Sequence, residues 1–285
     1  MPKCVECGAE TPREAMYGAA DDLRCGKCAG RNRVSLSSLP RTREADNAPI
    51  WTFMLVLMAI IVYAGEQLPG AERVTFLWNE PTRVWDGEVW RLLTTVLPHG
   101  GILHLIFNCY WTAVFGLTTE RAIGSWRFLG LILLTALGAS ATQFLISPSP
   151  AVGLSGVGYG LFGFLFAIRL YKDYARVLMT DSVMKMFIGW FILCWILTYA
   201  AGWHIANYAH ASGFAVGWLV GKSILKRKTE LRIGILTAVV LVMAGFTTYM
   251  PWNSHYRDYR QHKELIQALR EGRAPNLDFI EIDKD

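Results

Sequence analysis

Apolar runs of about 15–20 residues, roughly what a helix needs to cross a bilayer, recur along the chain between polar stretches. They fall at 49–65 (PIWTFMLVLMAIIVYAG), 101–118, 128–146, 154–170, 185–201, 206–225 and 233–250. Segments this apolar satisfy their backbone groups only as helices in lipid. The pattern predicts an all-α polytopic membrane protein: a bundle of six helices, a seventh C-terminal transmembrane helix, and a polar tail over 251–285. The tail reads HYRDYRQHKELIQALREG and is expected to be a solvated helix stopping at Gly272.

Composition agrees. Of 285 residues, 53% are hydrophobic and the mean hydropathy is +0.28, high for a soluble domain. The polar head has no early apolar core before a small-residue cleavage site, so no cleavable signal peptide is expected. The net charge of +5 matters less than its placement. Arg31, Arg33, Arg41 and Arg43 precede the first run. Arg121 and Arg127, then Arg169, Lys172, Arg176 and Lys185, then Lys222, Lys226, Arg227, Lys228 and Arg232, fill alternate loops. The intervening loops SPSPAV and GWHIANY carry no Lys or Arg. Basic loops stay inside, so the N-terminus is expected in the cytoplasm and the C-terminus outside. The long 66–100 loop mixes both signs and holds Trp78, Trp85 and Trp90, which suits a structured element in the outer interface.

The head contains C-x2-C-x17-C-x2-C: Cys4, Cys7, Cys25 and Cys28. This spacing suits a tetrahedral Cys4 zinc ribbon over 1–30, and a reducing cytosol disfavours disulfides. Four thiolates leave no open position, so the zinc is expected to be structural, supplying folding free energy to a domain too small for a core. A polar linker over 31–47 follows. The ribbon is expected to be structural or to dock a cytosolic partner; no nucleic-acid partner is expected. Cys109 and Cys194 read as buried small apolar residues.

Polar residues within the runs converge on one depth. Ser155 stands near the outer end of the fourth run and His210 near the outer end of the sixth. His104 and Asn108, four apart and on one helix face, open the second. Such residues are costly in lipid and face a bundle interior or a wet cavity. Gly213, Gly217 and Gly221 recur every fourth position beside His210, and Gly156, Gly160 and Gly163 follow Ser155. Small faces let two backbones approach closely, which would bring Ser155 within hydrogen-bond reach of His210. A histidine that takes the serine proton makes a nucleophile. No carboxylate lies in either run, so a dyad is expected rather than a triad. Tyr159, one turn after Ser155, would pack on the imidazole. His104, Asn108, the start of the fourth helix and Gly153, which lets the backbone approach a substrate, would serve an oxyanion. His204, in a short outer loop, could line a gate over the site, with loop solvation the expected account. GYGLFG at 158–163 lacks the strand a dinucleotide site needs.

Gly153-x-Ser155-Gly156, Ala209-His210 followed by Gly213 and Gly217, and His104-x-x-x-Asn108 resemble the signature of the rhomboid intramembrane serine proteases. Trp90-Arg91, and Glu120 ahead of Gly124-Ser125, extend the likeness over roughly 48–226. The resemblance implies a six-helix catalytic core over 48–226 and a seventh helix over 227–250. It implies cleavage of membrane-spanning protein substrates near the outer face of the lipid bilayer, without a catalytic cofactor. It assigns Ser155 as nucleophile, His210 as base, and His104 with Asn108 as oxyanion helpers. His99 takes a structural or hydration role, and Arg91 and Glu120 anchor the structure. Two other readings fit parts of the pattern: a non-catalytic membrane adaptor, and a transporter using His104, Asn108 and His210.

Overall fold

The computed structural model describes residues 1–5, 7–17, 23–29, 48–69, 77–78, 80–148, 151–225 and 229–271. The linker read over 31–47 and the stop at Gly272 lie outside them. The head forms a short 3-10 turn (Arg13–Ala15), an antiparallel hairpin of β1 (Met16–Tyr17) and β2 (Arg24–Cys25), and α1 (Gly26–Ala29). This two-stranded hairpin is the one sheet among the described residues. The rest is α2 (Ile50–Glu66), α3 (Pro81–Trp85), α4 (Arg91–Thr94), α5 (Ile102–Ile123), α6 (Ser125–Ile146), α7 (Ser155–Ile168), α8 (Asp173–Leu178), α9 (Asp181–Ala201), α10 (Asn207–Ile224), α11 (Thr229–Phe246) and α12 (Ser254–Arg270).

The seven apolar runs correspond to α2, α5, α6, α7, α9, α10 and α11. Among the described residues, α5, α6, α9 and α11 are long and apolar enough to cross a membrane, while α2 and α7 are apolar but shorter. The chain is an integral, multi-pass membrane protein. Helix α7 is the axis of the bundle: all its residues except Ser155 and Phe166 are buried. Helices α5, α6 and α10 surround it, and Phe115, Phe128, Phe164 and Leu165 fill the space between. Helix α9 is peripheral, with Phe187 and Cys194 its two buried residues.

Glycines set how close α7 and α10 come. A Cβ at Gly213 would strike the Gly156 carbonyl, one at Gly217 the Gly160 carbonyl, and one at Gly163 the Phe214 carbonyl. The backbones are therefore in contact, as small-residue faces allow. Elsewhere polar anchors fix the helices. The fully buried Glu120 carboxylate accepts from Trp51 N (3.0 Å), Thr52 N (2.8 Å) and Thr52 Oγ1 (2.7 Å), satisfying donors at the start of α2. Buried Arg91 donates to Glu88 Oε2 (2.6 Å) and Trp78 O (3.1 Å), tying the 77–100 loop together. Both residues are anchors, as expected.

The tail is a largely solvated helix, as expected, but one face of α12 is docked. Trp85 packs edge-on against Tyr256 (5.5 Å between centroids) and Phe144 (6.3 Å), with Tyr259 beside it (5.4 Å). Lys263 is paired with Asp86. Tyr256, Trp85, Phe144 and Met250 form a second small core at the Ser155 end of the bundle. The aromatic side chains of the loop and the tail each lack enough neighbours of their own, so burying them together removes apolar surface from water.

Candidate active site

Helix α7 has 14 residues, about 21 Å at 1.5 Å per residue, against a hydrocarbon core of about 30 Å. A central helix this short leaves room above its first turn. A cavity of about 1170 Å³ occupies that end, lined by residues of α5, α7, α9 and α10 that include His104, Asn108, Ser155, Tyr159 and His210.

Ser155 Oγ lies 2.9 Å from His210 Nε2. The serine is the first residue of α7 and half-buried; the histidine is 4% exposed on the first turn of α10. The crossing described above brings them together, because Gly156 and Gly213 touch one residue beyond the serine and three beyond the histidine. The Tyr159 ring stacks on the imidazole, with centroids 4.8 Å apart and planes 28° apart. Its hydroxyl donates to Phe187 O at 3.1 Å, which fixes its own rotamer. His210 Nδ1 has no hydrogen-bond partner among the described residues. The imidazole is thus held by packing on one side and by Ser155 on the other.

The preceding turn shapes the opposite wall. Gly153 has φ +108°, in the region that favours glycine, and an added Cβ would lie 2.7 Å from His104 Cε1 and 3.4 Å from Asn108 Nδ2. Both α5 side chains therefore press on this turn, immediately before Ser155. Asn108 is buried, and its Nδ2 is without a hydrogen-bond partner among the described residues. The Gly153 amide itself donates to Thr95 O at 3.0 Å. Gly153, expected from the sequence to let the backbone approach a substrate, thus has its own amide committed to Thr95. His99 accepts from Leu154 N at 3.4 Å, places Nδ1 2.8 Å from Leu97 O, and packs on His104 with centroids 5.1 Å apart. Its part is structural.

Three polar residues of the site went unnoticed in the sequence. Gln143 Oε1 accepts from Ala209 N at 3.2 Å, one residue before His210, and the side chain lines the cavity. Asn207 Nδ2 donates to Thr198 Oγ1 at 2.8 Å, linking α10 to α9. Thr95 Oγ1 donates to Ala151 O, holding the turn before Ser155. Gln143 was legible in principle, as a polar residue in an apolar run at the depth of Ser155. His204 is exposed as expected, yet it also lines the cavity mouth with Trp203. Cys194 is buried as expected and faces the same cavity.

At the other end of the chain, the sulfurs of Cys4, Cys7, Cys25 and Cys28 lie within 4.8 Å of one another. Hydrogen bonding to Cys7 and then desolvation push the Cys28 thiol up to about 12. Four thiols this close resist ionising together until a cation supplies the opposing charge. The donor set fits a tetrahedral metal ion.

A family model described as the Rhomboid domain matches residues 86–227. The chain is 31% identical over 216 residues to the rhomboid protease GlpG of Enterobacter sp., covering 73% of this chain and 74% of that one. It is 29% identical over 171 residues to the rhomboid protease GlpG of Haemophilus influenzae, covering 60% of this chain and 88% of that one. The rhomboid protease GluP of Bacillus subtilis is 26% identical over 239 residues, 80% of this chain, which spans about half (46%) of that relative's length. A matched domain over the whole α5–α10 bundle, and an alignment covering most of a curated rhomboid protease, place the chain in one group: it belongs to the rhomboid family of intramembrane serine proteases.

Proposed function

We propose that the protein is an intramembrane serine endopeptidase that cleaves membrane-spanning substrates with a Ser155–His210 dyad, near the outer membrane face. The observation that carries this reading is the 2.9 Å approach of Ser155 Oγ to His210 Nε2 across two helices, in a cavity at membrane depth. A neutral imidazole protonated at Nδ1 accepts the serine proton at Nε2 as Oγ attacks the scissile carbonyl. The C=O bond opens to an oxyanion. The amides at the start of α7, with their helix dipole, and the side chains of Asn108 and His104 stabilise that charge. Imidazolium then gives the proton to the leaving amine as the C–N bond breaks, leaving the acyl group on Oγ. Water from the cavity loses a proton to His210 and attacks the acyl carbon; the Oγ–C bond then breaks, His210 returns the proton to Ser155 Oγ, and the carboxylic-acid product leaves.

No carboxylate partners His210 Nδ1 among the described residues. Stacking on Tyr159 does the orienting instead. Phe107 of α5 and Trp190 and Trp195 of α9 line the cavity, and the Phe107 and Trp190 rings meet across the two helices, 5.5 Å between centroids. A substrate segment would enter there and unwind to present an extended carbonyl. The basic-loop pattern supports a cytoplasmic N-terminus and an external C-terminus. In agreement, the ribbon lies at the α8 end of the bundle and α12 at the Ser155 end. The four cysteines would hold zinc, which supplies tetrahedral cross-linking of the head and takes no part in hydrolysis.

A fluorophosphonate probe tests the dyad. It is expected to label Ser155 in the detergent-folded protein and to label neither Ser155→Ala nor His210→Ala. A folded wild-type protein that takes up no label and cleaves no model transmembrane segment refutes the protease reading and leaves the adaptor.

A further inference from the structure

The ribbon does more than precede the bundle. Its strand β1 packs beside α8, and Met16 on that strand is fully buried. Helix α8 is a junction. Its Arg176 side chain donates to Leu170 O (3.1 Å) and Arg169 O (3.3 Å) just past the end of α7, while bonding Asp173 at 3.0 Å. These carbonyls belong to the group a helix end leaves without intrahelical partners. The guanidinium thus fastens α8 to the helix whose other end carries Ser155. In the other direction, α8 runs through Met179 and Thr180 directly into α9, whose first turn Thr180 caps by accepting from Val183 N.

Helix α9 forms one wall of the active-site cavity, yet two of its residues alone are buried. From Phe187 onward side-chain contacts hold it, Phe187 stacking on Phe162 (4.6 Å), Trp190 packing on Phe107 (5.5 Å) and Thr198 bonding Asn207, whereas its first turn follows directly from the α8 junction. The end at α8 is the one the ribbon touches. The ribbon, in turn, has a core made of Met16, Leu23 and its own cysteines. Domains below about 40 residues seldom fold without a metal, disulfide or partner, and the metal's binding free energy then becomes folding free energy.

We infer that the metal-bound ribbon is a clamp on α8, so that metal occupancy of the four cysteines governs the mobility of α9 at the active-site wall. With the metal in place, β1 is ordered and α8 is held. Without it the hairpin melts, α8 loses its cover, and the root of α9 loosens while the Ser155–His210 contact between α7 and α10 is untouched. The inference rests on the reading of the four cysteines as a zinc site.

The test is hydrogen–deuterium exchange on the full-length protein in lipid nanodiscs, loaded with zinc or stripped by a chelator, with zinc content measured on the same samples. Stripping is expected to speed exchange at 173–178 and in the first turn of α9 by about tenfold or more, as local opening would, and to leave α10 unchanged. A Cys4→Ser/Cys25→Ser variant kept in zinc should behave like the stripped protein, and fluorophosphonate labelling of Ser155 should persist in both. If the protein holds one zinc per chain and 173–178 exchanges equally fast with and without it, the clamp is wrong while the zinc site stands. If α10 speeds up as well, the metal supports the whole bundle and the clamp is again wrong. A chain that holds no zinc removes the zinc site and the clamp together.

Discussion

Gly217→Ala is the sharpest test of how the bundle makes the dyad. The new Cβ would land against the Gly160 carbonyl, where backbone meets backbone and no side chain can swing aside. Restoring ordinary van der Waals separation requires α10 to back away from α7 by on the order of 1–1.5 Å. Gly217 lies seven residues, two turns, beyond His210 on the same helix, so the displacement reaches the imidazole. The 2.9 Å Ser155–His210 contact would open to roughly 4 Å, outside the reach of a hydrogen bond. Overpacking of this kind costs about 1–3 kcal/mol of stability, and a misplacement of about 1 Å at a reacting group costs about 100-fold in rate. The assay pairs fluorophosphonate labelling with thermal unfolding in detergent. Gly189→Ala on α9 is the control: its added Cβ meets nothing within 4 Å, and replacing a helical glycine there should be neutral or favourable by up to about 1 kcal/mol. Labelling of Gly217→Ala at the wild-type rate, with unchanged unfolding, would show that the close α7–α10 crossing does not position the dyad.

Three further outcomes are expected. Gly153→Ala combines a disfavoured φ with a collision at His104, so it should lower model-substrate cleavage at least ~10-fold while the bundle stays folded by circular dichroism. Glu120→Ala strands the amides of Trp51 and Thr52 in a buried site and should cost about 3 kcal/mol in unfolding free energy, far from Ser155 and with little effect on labelling per folded molecule. The docked tail should release in acid. Partial burial raises the Asp86 carboxyl, but the Lys263 ammonium outweighs it and holds the group below its ordinary value. The stabilisation is therefore full above the free carboxyl value of about 3.9 and is lost as pH falls through the lowered folded value. Both groups are partly exposed, so the pair contributes at most about 1 kcal/mol. Limited proteolysis of α12 should accelerate below about pH 4, and Asp86→Asn should show the released pattern at neutral pH.

Much of the candidate site was legible in the chain because it follows from local periodicity. Apolar run lengths marked the seven helices. Ser155 and His210 occupy matching depths in parallel-running segments, and glycines every fourth position mark the faces that meet. Once two helices cross on such faces, side chains at the same end must approach, so the dyad was implied before any coordinates. The Cys-x2-Cys pairs likewise announced four thiols gathered at one point, which the structure places within 4.8 Å of one another.

Tertiary structure decided what depends on partners distant in sequence and carrying no periodic signal. Trp85 and Tyr256 lie in separate polar segments, and neither segment shows that the other will cover it; the tail therefore read as solvated. Nothing around Gly153 showed that its amide would donate to Thr95 O, in the 77–100 loop. Gln143 read as one polar residue in an apolar run and proved to hold the start of α10. Nothing in residues 16–17 or 173–178 names the other, yet they pack together. Sequence alone determines which faces must be buried, because burial is a property of each segment's own pattern; which surface does the burying is a property of the whole chain, and only the folded bundle contains it.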